Sequence, residues 1–296
     1  MPGPSVIVQK ISKRFGEALA LDNISFDVAR GELFGFIGPD GAGKTTLFRI
    51  LTTLLLADAG TCSVEGFDVV KDYKKIRNIC GYMPGRFSLY QDLTVEENLN
   101  FFATIFGTTI RENYDLVKDI YVQIEPFKTR KAGKLSGGMK QKLALCCAMI
   151  HKPEILFLDE PTTGVDAVSR LEFWEMLKRL KTAGITILVS TPYMDEASLC
   201  DRVALIQNGR IMTISTPEEI IRNYPLSLLS IKSGDIYKLL GELRSFPGVH
   251  SVHAFGQSAH VSFSEGAIEK NTLSDYLEKN KHESVEITPI EATIED

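Results

Sequence analysis

An apolar stretch that runs straight into a glycine-rich turn constrains this chain more than any other feature: LFGFIG at 33–38, followed by PDGAGKTT at 39–46. A short continuous apolar run of this kind reads as a strand buried on both faces. The segment after the turn, from about Lys44 to Leu55, is expected to be a helix. Gly38, Gly43, Lys44 and Thr45 satisfy the spacing G-x-x-x-x-G-K-[ST]. The glycines let main-chain N–H groups point inward at phosphate oxygens. Lys44 is expected to reach the β- and γ-phosphates of a nucleoside triphosphate, and the Thr45 hydroxyl to ligate Mg²⁺. The helix aims its positive end at the same anion. Asp40, Gly41, Ala42 and Thr46 complete the loop as nucleotide-contacting candidates. Strand, phosphate loop, helix and returning buried strands predict an α/β fold with a largely parallel sheet.

Downstream, ILFLDE at 155–160 ends an apolar strand in two carboxylates. Asp159 is expected to hold Mg²⁺ directly or through water. Glu160 is placed to orient or deprotonate an attacking water. Carboxylates after strands are common, and it is the upstream phosphate loop that gives this pair its meaning. Between the two lies LSGGMKQ at 135–141. Ser136, Gly137 and Gly138 at a helix start offer a hydroxyl and exposed N–H groups, a second anion site. A plain helix cap would use the same residues. A loop this far along the chain does not obviously reach the phosphate held by Lys44. It makes sense if it serves a nucleotide held by another subunit.

With these three segments in this order, residues 4–224 resemble the ATP-binding subunit of ABC transporters. The resemblance implies a P-loop ABC ATPase domain over 1–224, with a helical subdomain at about 85–150. It implies that Phe15, in KRFG, stacks on adenine, and that Asp166, in GVDA, lies in the loop that crosses a dimer interface. A role for Asp166 as a helix N-cap is compatible with that. In the family two cassettes, tandem or homodimeric, pair head to tail. Each ATP sits between one phosphate loop and the other subunit's signature. Closure and hydrolysis then drive integral membrane permease subunits from the cytoplasmic face.

The chain departs from the family pattern twice. The family places glutamine after Tyr-x-Pro, where this chain has Gly85, and histidine after the strand ending Ser190–Thr191, where it has Pro192. Glycine has no side chain to sense a γ-phosphate, and proline neither donates a hydrogen bond nor shuttles a proton. Gln91 is expected to point elsewhere. Of the five histidines, 151 sits at a helix end and 250, 253, 260 and 282 fall late in the chain, so none is expected to substitute. The expectation is a site that binds MgATP well and turns over slowly: the degenerate half of an asymmetric pair. Tandem two-cassette subunits of bacterial drug exporters resemble it, including the Pro-Asp-Gly phosphate loop, and an end at Asp296 suits excision of an N-terminal half. A binding-only regulatory module is an alternative. So is a soluble ABC ATPase of ribosomes or DNA, but this chain shows neither the basic linker nor the long coiled-coil insert of those proteins.

Composition narrows the partners. A net charge of −5 argues against nucleic acid. The longest apolar run, LALCCAMI at 143–150, is far short of the ~20 residues a spanning helix needs. MPGPS at the start has no signal-peptide pattern, so a cytosolic protein is expected. Five cysteines without a C-x-x-C pair read as reduced thiols, with Cys146 and Cys147 in the core. After Tyr224–Pro225 the pattern becomes β-α-β-β-α-β, which predicts a small ferredoxin-like α+β domain over 225–296. That order and the closing IEATIED resemble the accessory domain of exporter-type subunits whose membrane partners are of the ABC-2 class.

Overall fold

A computed structural model describes residues 3–263 and 270–294; the last two residues of IEATIED lie outside the described residues. The chain divides into two units, Met1–Pro217 and Glu218–Asp296. The first unit opens with β1 (Val6–Phe15), β2 (Ala18–Val28), β3 (Leu33–Ile37) and α1 (Lys44–Leu51). There follow β4 (Ala59–Val64), β5 (Phe67–Asp68), α2 (Tyr73–Ile79), β6 (Cys80–Met83), α3 (Val95–Ile105), α4 (Tyr114–Tyr121) and α5 (Gly137–Met149). Then come β7 (Ile155–Asp159), α6 (Ala167–Thr182), β8 (Thr186–Thr191), β9 (Arg202–Gln207) and β10 (Arg210–Ser215), and α7 (Pro217–Arg222) begins at the boundary between the units.

Two sheets build this unit among the described residues. One is antiparallel, in the order β2-β1-β4-β5. The other runs β10-β9-β3-β8-β7-β6, with β9, β3, β8, β7 and β6 parallel and β10 antiparallel at the edge. Every residue of β3, β7 and β8 is buried, which is why each carries a continuous apolar segment: LFGFI, ILFL and ILV. The register sets Ile37 beside Thr191 and Asp159 beside Ser190. The phosphate loop and the acidic pair therefore leave the same edge of the sheet, where α/β folds place their ligands. Edge-on phenylalanines clamp α1 to that sheet: Phe36–Phe48 at 5.7 Å and Phe48–Phe157 at 5.8 Å. Such pairs contribute about 0.5–1.5 kcal/mol each beyond area burial.

Local signals explain the remaining boundaries. Thr94 and Glu97 form a reciprocal capping box at the start of α3. Asn208 and Gly209, with φ of 49° and 73°, make the tight turn between β9 and β10. One expectation needed correction. The helix after the phosphate loop ends at Leu51 rather than near Leu55. Thr53 takes φ 64°, and the N–H groups of Leu54 and Leu55 both return to the Arg49 carbonyl, which closes the helix in a left-handed turn. Between α2 and α3 lies the edge strand β6, too short to show a period of its own. All five cysteines are free and buried, Cys146 and Cys147 among them. Burial pushes the Cys62 thiol up to about 12 and Cys80 up to about 11, so both stay protonated and inert.

The second unit carries β11 (Ser227–Lys232), α8 (Ile236–Leu243), β12 (Val249–Phe255), β13 (Ser258–Phe263), α9 (Lys270–Lys279) and β14 (Glu286–Ile290). Its antiparallel sheet runs β12-β13-β11-β14. That is the arrangement a split β-α-β order generates. Its core gathers Ile231, Leu239, Leu243, Val261, Leu273 and Leu277.

Candidate functional site

The phosphate loop is shaped by close approach. A Cβ on Gly38 would lie 2.1 Å from the Ile206 carbonyl oxygen, and one on Gly43 would lie 2.5 Å from that of Ala20. Gly43 also holds φ 105°, a conformation that side chains rarely adopt. It caps α1 with no side-chain hydrogen bond. The first-turn amides of Lys44, Thr45 and Thr46 have no carbonyl one turn back to accept from them. The Ala42 N–H is donated to the Pro39 carbonyl at 3.2 Å, which tightens the loop. Pro39, Asp40 and Gly41 face solvent, while Ala42 and Lys44 are buried. The Lys44 ammonium donates to the carbonyls of Gly38 at 2.7 Å and Pro39 at 3.1 Å, and sits 3.4 Å from Glu160 Oε1. A buried ammonium held mainly by neutral carbonyls is ready to exchange them for an anion.

Asp159 is 2% exposed. Its Oδ1 accepts from the Ser190 hydroxyl at 2.6 Å. Glu160 adopts φ 49°, and its N–H donates to both the Ser190 carbonyl at 3.0 Å and the Ser190 Oγ at 3.1 Å. Among the described residues no group of three His, Cys, Asp or Glu side chains gathers as a metal cage. The chemistry on offer is one carboxylate at Asp159 and one hydroxyl at Thr45 beside a phosphate loop. Mg²⁺ is usually held that way, with substrate phosphates and water completing its shell, so the donor set fits it.

The signature turn is built differently. Ser136 caps α5, its Oγ accepting from the Met139 N–H at 3.3 Å. Asp166 caps α6 by accepting from the Ser169 N–H at 3.0 Å. That hydrogen bond, first of all, holds the Asp166 carboxyl below the usual range. The two turns touch: a Cβ on Gly138 would lie 2.6 Å from Ser169 Oγ, and one on Gly137 would lie 3.2 Å from the Gly164 carbonyl. The helix-cap reading of both segments is thus correct as local structure, and it leaves Ser136 and Gly137 at the surface. Phe15 is 51% exposed, with the Lys13 ammonium 5.6 Å from its ring centre. An aromatic so exposed is a surface platform and not a core residue.

Gly85 lies against the acidic pair. A Cβ there would sit 3.1 Å from the Asp159 carbonyl oxygen and 3.6 Å from Glu160 Cβ. Pro192 follows β8 directly, and the Thr191 carbonyl before it accepts from the Gly38 N–H at 3.3 Å. Gln91 is exposed, and its main-chain carbonyl accepts from the Gly133 N–H at 2.9 Å. His151 stacks on Phe106 at 3.8 Å and bonds the Cys80 carbonyl through Nε2. Burial lowers its pKa.

Three features had no clear sequence signal. Ser190 meets the acidic pair only through sheet register. Arg170 on α6 lies 4.4 Å over the Tyr193 ring and pairs with Asp195 at 2.9 Å and Glu196 at 3.1 Å, pinning the segment after β8. An apolar groove of about 320 Å³ is lined by Tyr82, Met83, Phe87, Phe102, Phe106 and His151, among others.

Known proteins share this layout. The family model described as "ABC transporter" matches residues 21–163. The probable multidrug ABC transporter ATP-binding protein YbhF of Escherichia coli is 40% identical over 222 residues, which is 74% of this chain and 38% of YbhF. The chain thus spans well under half the length of that relative. Nod factor export ATP-binding protein I of Burkholderia lata is 38% identical over 250 residues, covering 83% of this chain and 82% of the relative. Among solved structures, cbiO1 of Clostridium perfringens, part of the transporter complex cbiONQ, superposes with a TM-score of 0.66 at 25% identity. That likeness covers 74% of this chain and 91% of cbiO1.

Proposed function

The chain belongs to the ABC transporter family, and on that footing we propose that it is an ATP-binding subunit that energises export. The observation that carries the reading is the buried Lys44 ammonium folded onto neutral carbonyls at the uncapped start of α1. The triphosphate is a stronger partner for that ammonium than two carbonyls are. Gly38, Asp40, Gly41, Ala42 and Gly43 would wrap it, and the amides of Lys44, Thr45 and Thr46 would donate to it. Phe15 would offer its exposed ring to adenine. Thr45 and Asp159 would hold Mg²⁺, which when bound neutralises developing charge on the phosphates. Glu160, released from Lys44, would orient or deprotonate the attacking water.

Ser136, Gly137 and Gly138 would serve a nucleotide held by a second cassette, with Asp166 at the crossing between subunits. Ser136 is surface-exposed and caps α5, while Lys44 opens α1. The apolar groove beside β6 is the surface we assign to the integral membrane permease, which would hold this subunit at the cytoplasmic face. No helix among the described residues is long and apolar enough to cross a membrane by itself. The two named relatives handle different cargo, multidrug and Nod factor, which suits a cargo site on the permease.

Gly85 and Pro192 weaken the chain's own site. Losing one positioned γ-phosphate partner commonly costs ~10² in rate. Two losses at one site need not add. A weakened site with an intact signature turn suits the degenerate member of an asymmetric pair. The test is steady-state ATPase activity of the chain against the Gly85→Gln/Pro192→His variant. The variant is expected to be at least about tenfold faster at saturating ATP. Equal and rapid turnover in both would refute the degenerate site. Failure of the unaltered chain to bind ATP would refute the whole reading.

A further inference from the structure

Ser190 has no part in the reading above, yet it holds both members of the acidic pair. It is the penultimate residue of β8, is fully buried, and lies beside Asp159 in the sheet. Its hydroxyl proton goes to Asp159 Oδ1 at 2.6 Å, and its oxygen accepts the Glu160 N–H at 3.1 Å. Its carbonyl takes the same N–H at 3.0 Å. Glu160 stands at φ 49°, a left-handed conformation that a non-glycine residue adopts only when its surroundings hold it there. One serine therefore sets the rotation of the first carboxylate and the backbone turn that launches the second.

We propose that Ser190 is a positioning residue that presents Asp159 to the metal of the bound nucleotide. The inference rests on the reading of this site as a MgATP site. A hydroxyl suits the task for a physical reason. It satisfies a buried carboxylate without neutralising it, so the negative charge stays available to a cation. A lysine or arginine in the same place would compete with that cation. Engaging Oδ1 also leaves the other carboxylate oxygen to face the metal.

The test compares nucleotide affinity with Mg²⁺ and with EDTA, using a fluorescent ATP analogue and the whole chain. Ser190→Ala removes the donor, Ser190→Cys keeps the volume with a weak donor, and Ser190→Thr keeps the hydroxyl. The Mg²⁺-dependent gain in affinity is expected to fall about tenfold or more in Ser190→Ala and Ser190→Cys, the cost of a hydrogen bond to a charged group. It should persist in Ser190→Thr, and affinity in EDTA should stay within about twofold in all three. If Ser190→Ala fails to fold, Ser190→Cys carries the comparison. A full Mg²⁺ gain in the variants lacking a strong donor would overturn the proposal, as would an equal loss in Ser190→Thr. An unaltered chain that binds the analogue with no Mg²⁺ gain would overturn the underlying MgATP reading instead.

Discussion

The helix starts at Gly43 and Ser136 make a useful pair. Both belong to glycine-bearing turns, and in both the first-turn amides have no carbonyl one turn back to accept from them. At α1 no side chain caps the helix, and the nearest cation is folded back onto loop carbonyls. At α5 the Ser136 hydroxyl occupies the Met139 amide itself. Their glycines answer to different pressures. Gly43 is required by a φ of 105° and by the Ala20 carbonyl, whereas Gly138 is required by the Ser169 side chain of the neighbouring turn. A helix start left open inside its own chain reads as a ligand seat. A helix start closed by its own serine reads as a rigid edge whose serine can be lent outward.

The largest break in that comparison should come from Gly43→Ala. The substitution forces a side chain into left-handed backbone against a carbonyl, which costs roughly 1–3 kcal/mol for the backbone alone. Nucleotide affinity should fall at least about a hundredfold, because the loop that carries the anion must move. Equilibrium titration with a fluorescent ATP analogue reads it, and an unchanged affinity would mean that the loop is not the seat. A smaller effect is expected from Ser136→Ala. Loss of a helix cap should lower stability by about 1 kcal/mol, seen as a shift in the urea midpoint. The isolated chain's affinity for the analogue should stay the same. If affinity falls with Ser136→Ala, the two starts serve one nucleotide within the chain and the contrast fails.

The smallest effect concerns Asp166, the titratable cap of α6. Its folded pKa lies below the ordinary value, so its contribution is fully present above about pH 4 and is lost as pH falls through the lowered folded value. The stability difference between the unaltered chain and either Asp166→Asn or Asp166→Ser should therefore shrink on acidification, because the slope belongs to the aspartate. Thermal melts across that range decide it. A difference independent of pH would show that the carboxylate is not the capping group.

How much could be read without the fold varies by element. The buried strands β3, β7 and β8 were visible because each is a short apolar segment that ends at a chemical motif. The start of α6 was legible from Asp166, a residue suited to cap it. The end of α1 was not. Leucines at 54 and 55 continue an apolar pattern, and only the left-handed Thr53 shows that the chain has already turned. Strand β6 was hidden because four residues at a sheet edge carry no period.

Within the site, the sequence by itself determined the chemistry at hand: a phosphate loop, two carboxylates, a serine–glycine turn, and a glycine and a proline where the family writes glutamine and histidine. These are matters of residue type and spacing, and they survive any change in packing. Only the tertiary structure decided which groups share an atom. Ser190 lies far along the chain from Asp159, and it reaches that carboxylate because two parallel strands pair in one register. A shift of one residue would send the hydroxyl to the other face of the sheet and leave a buried carboxylate without its donor.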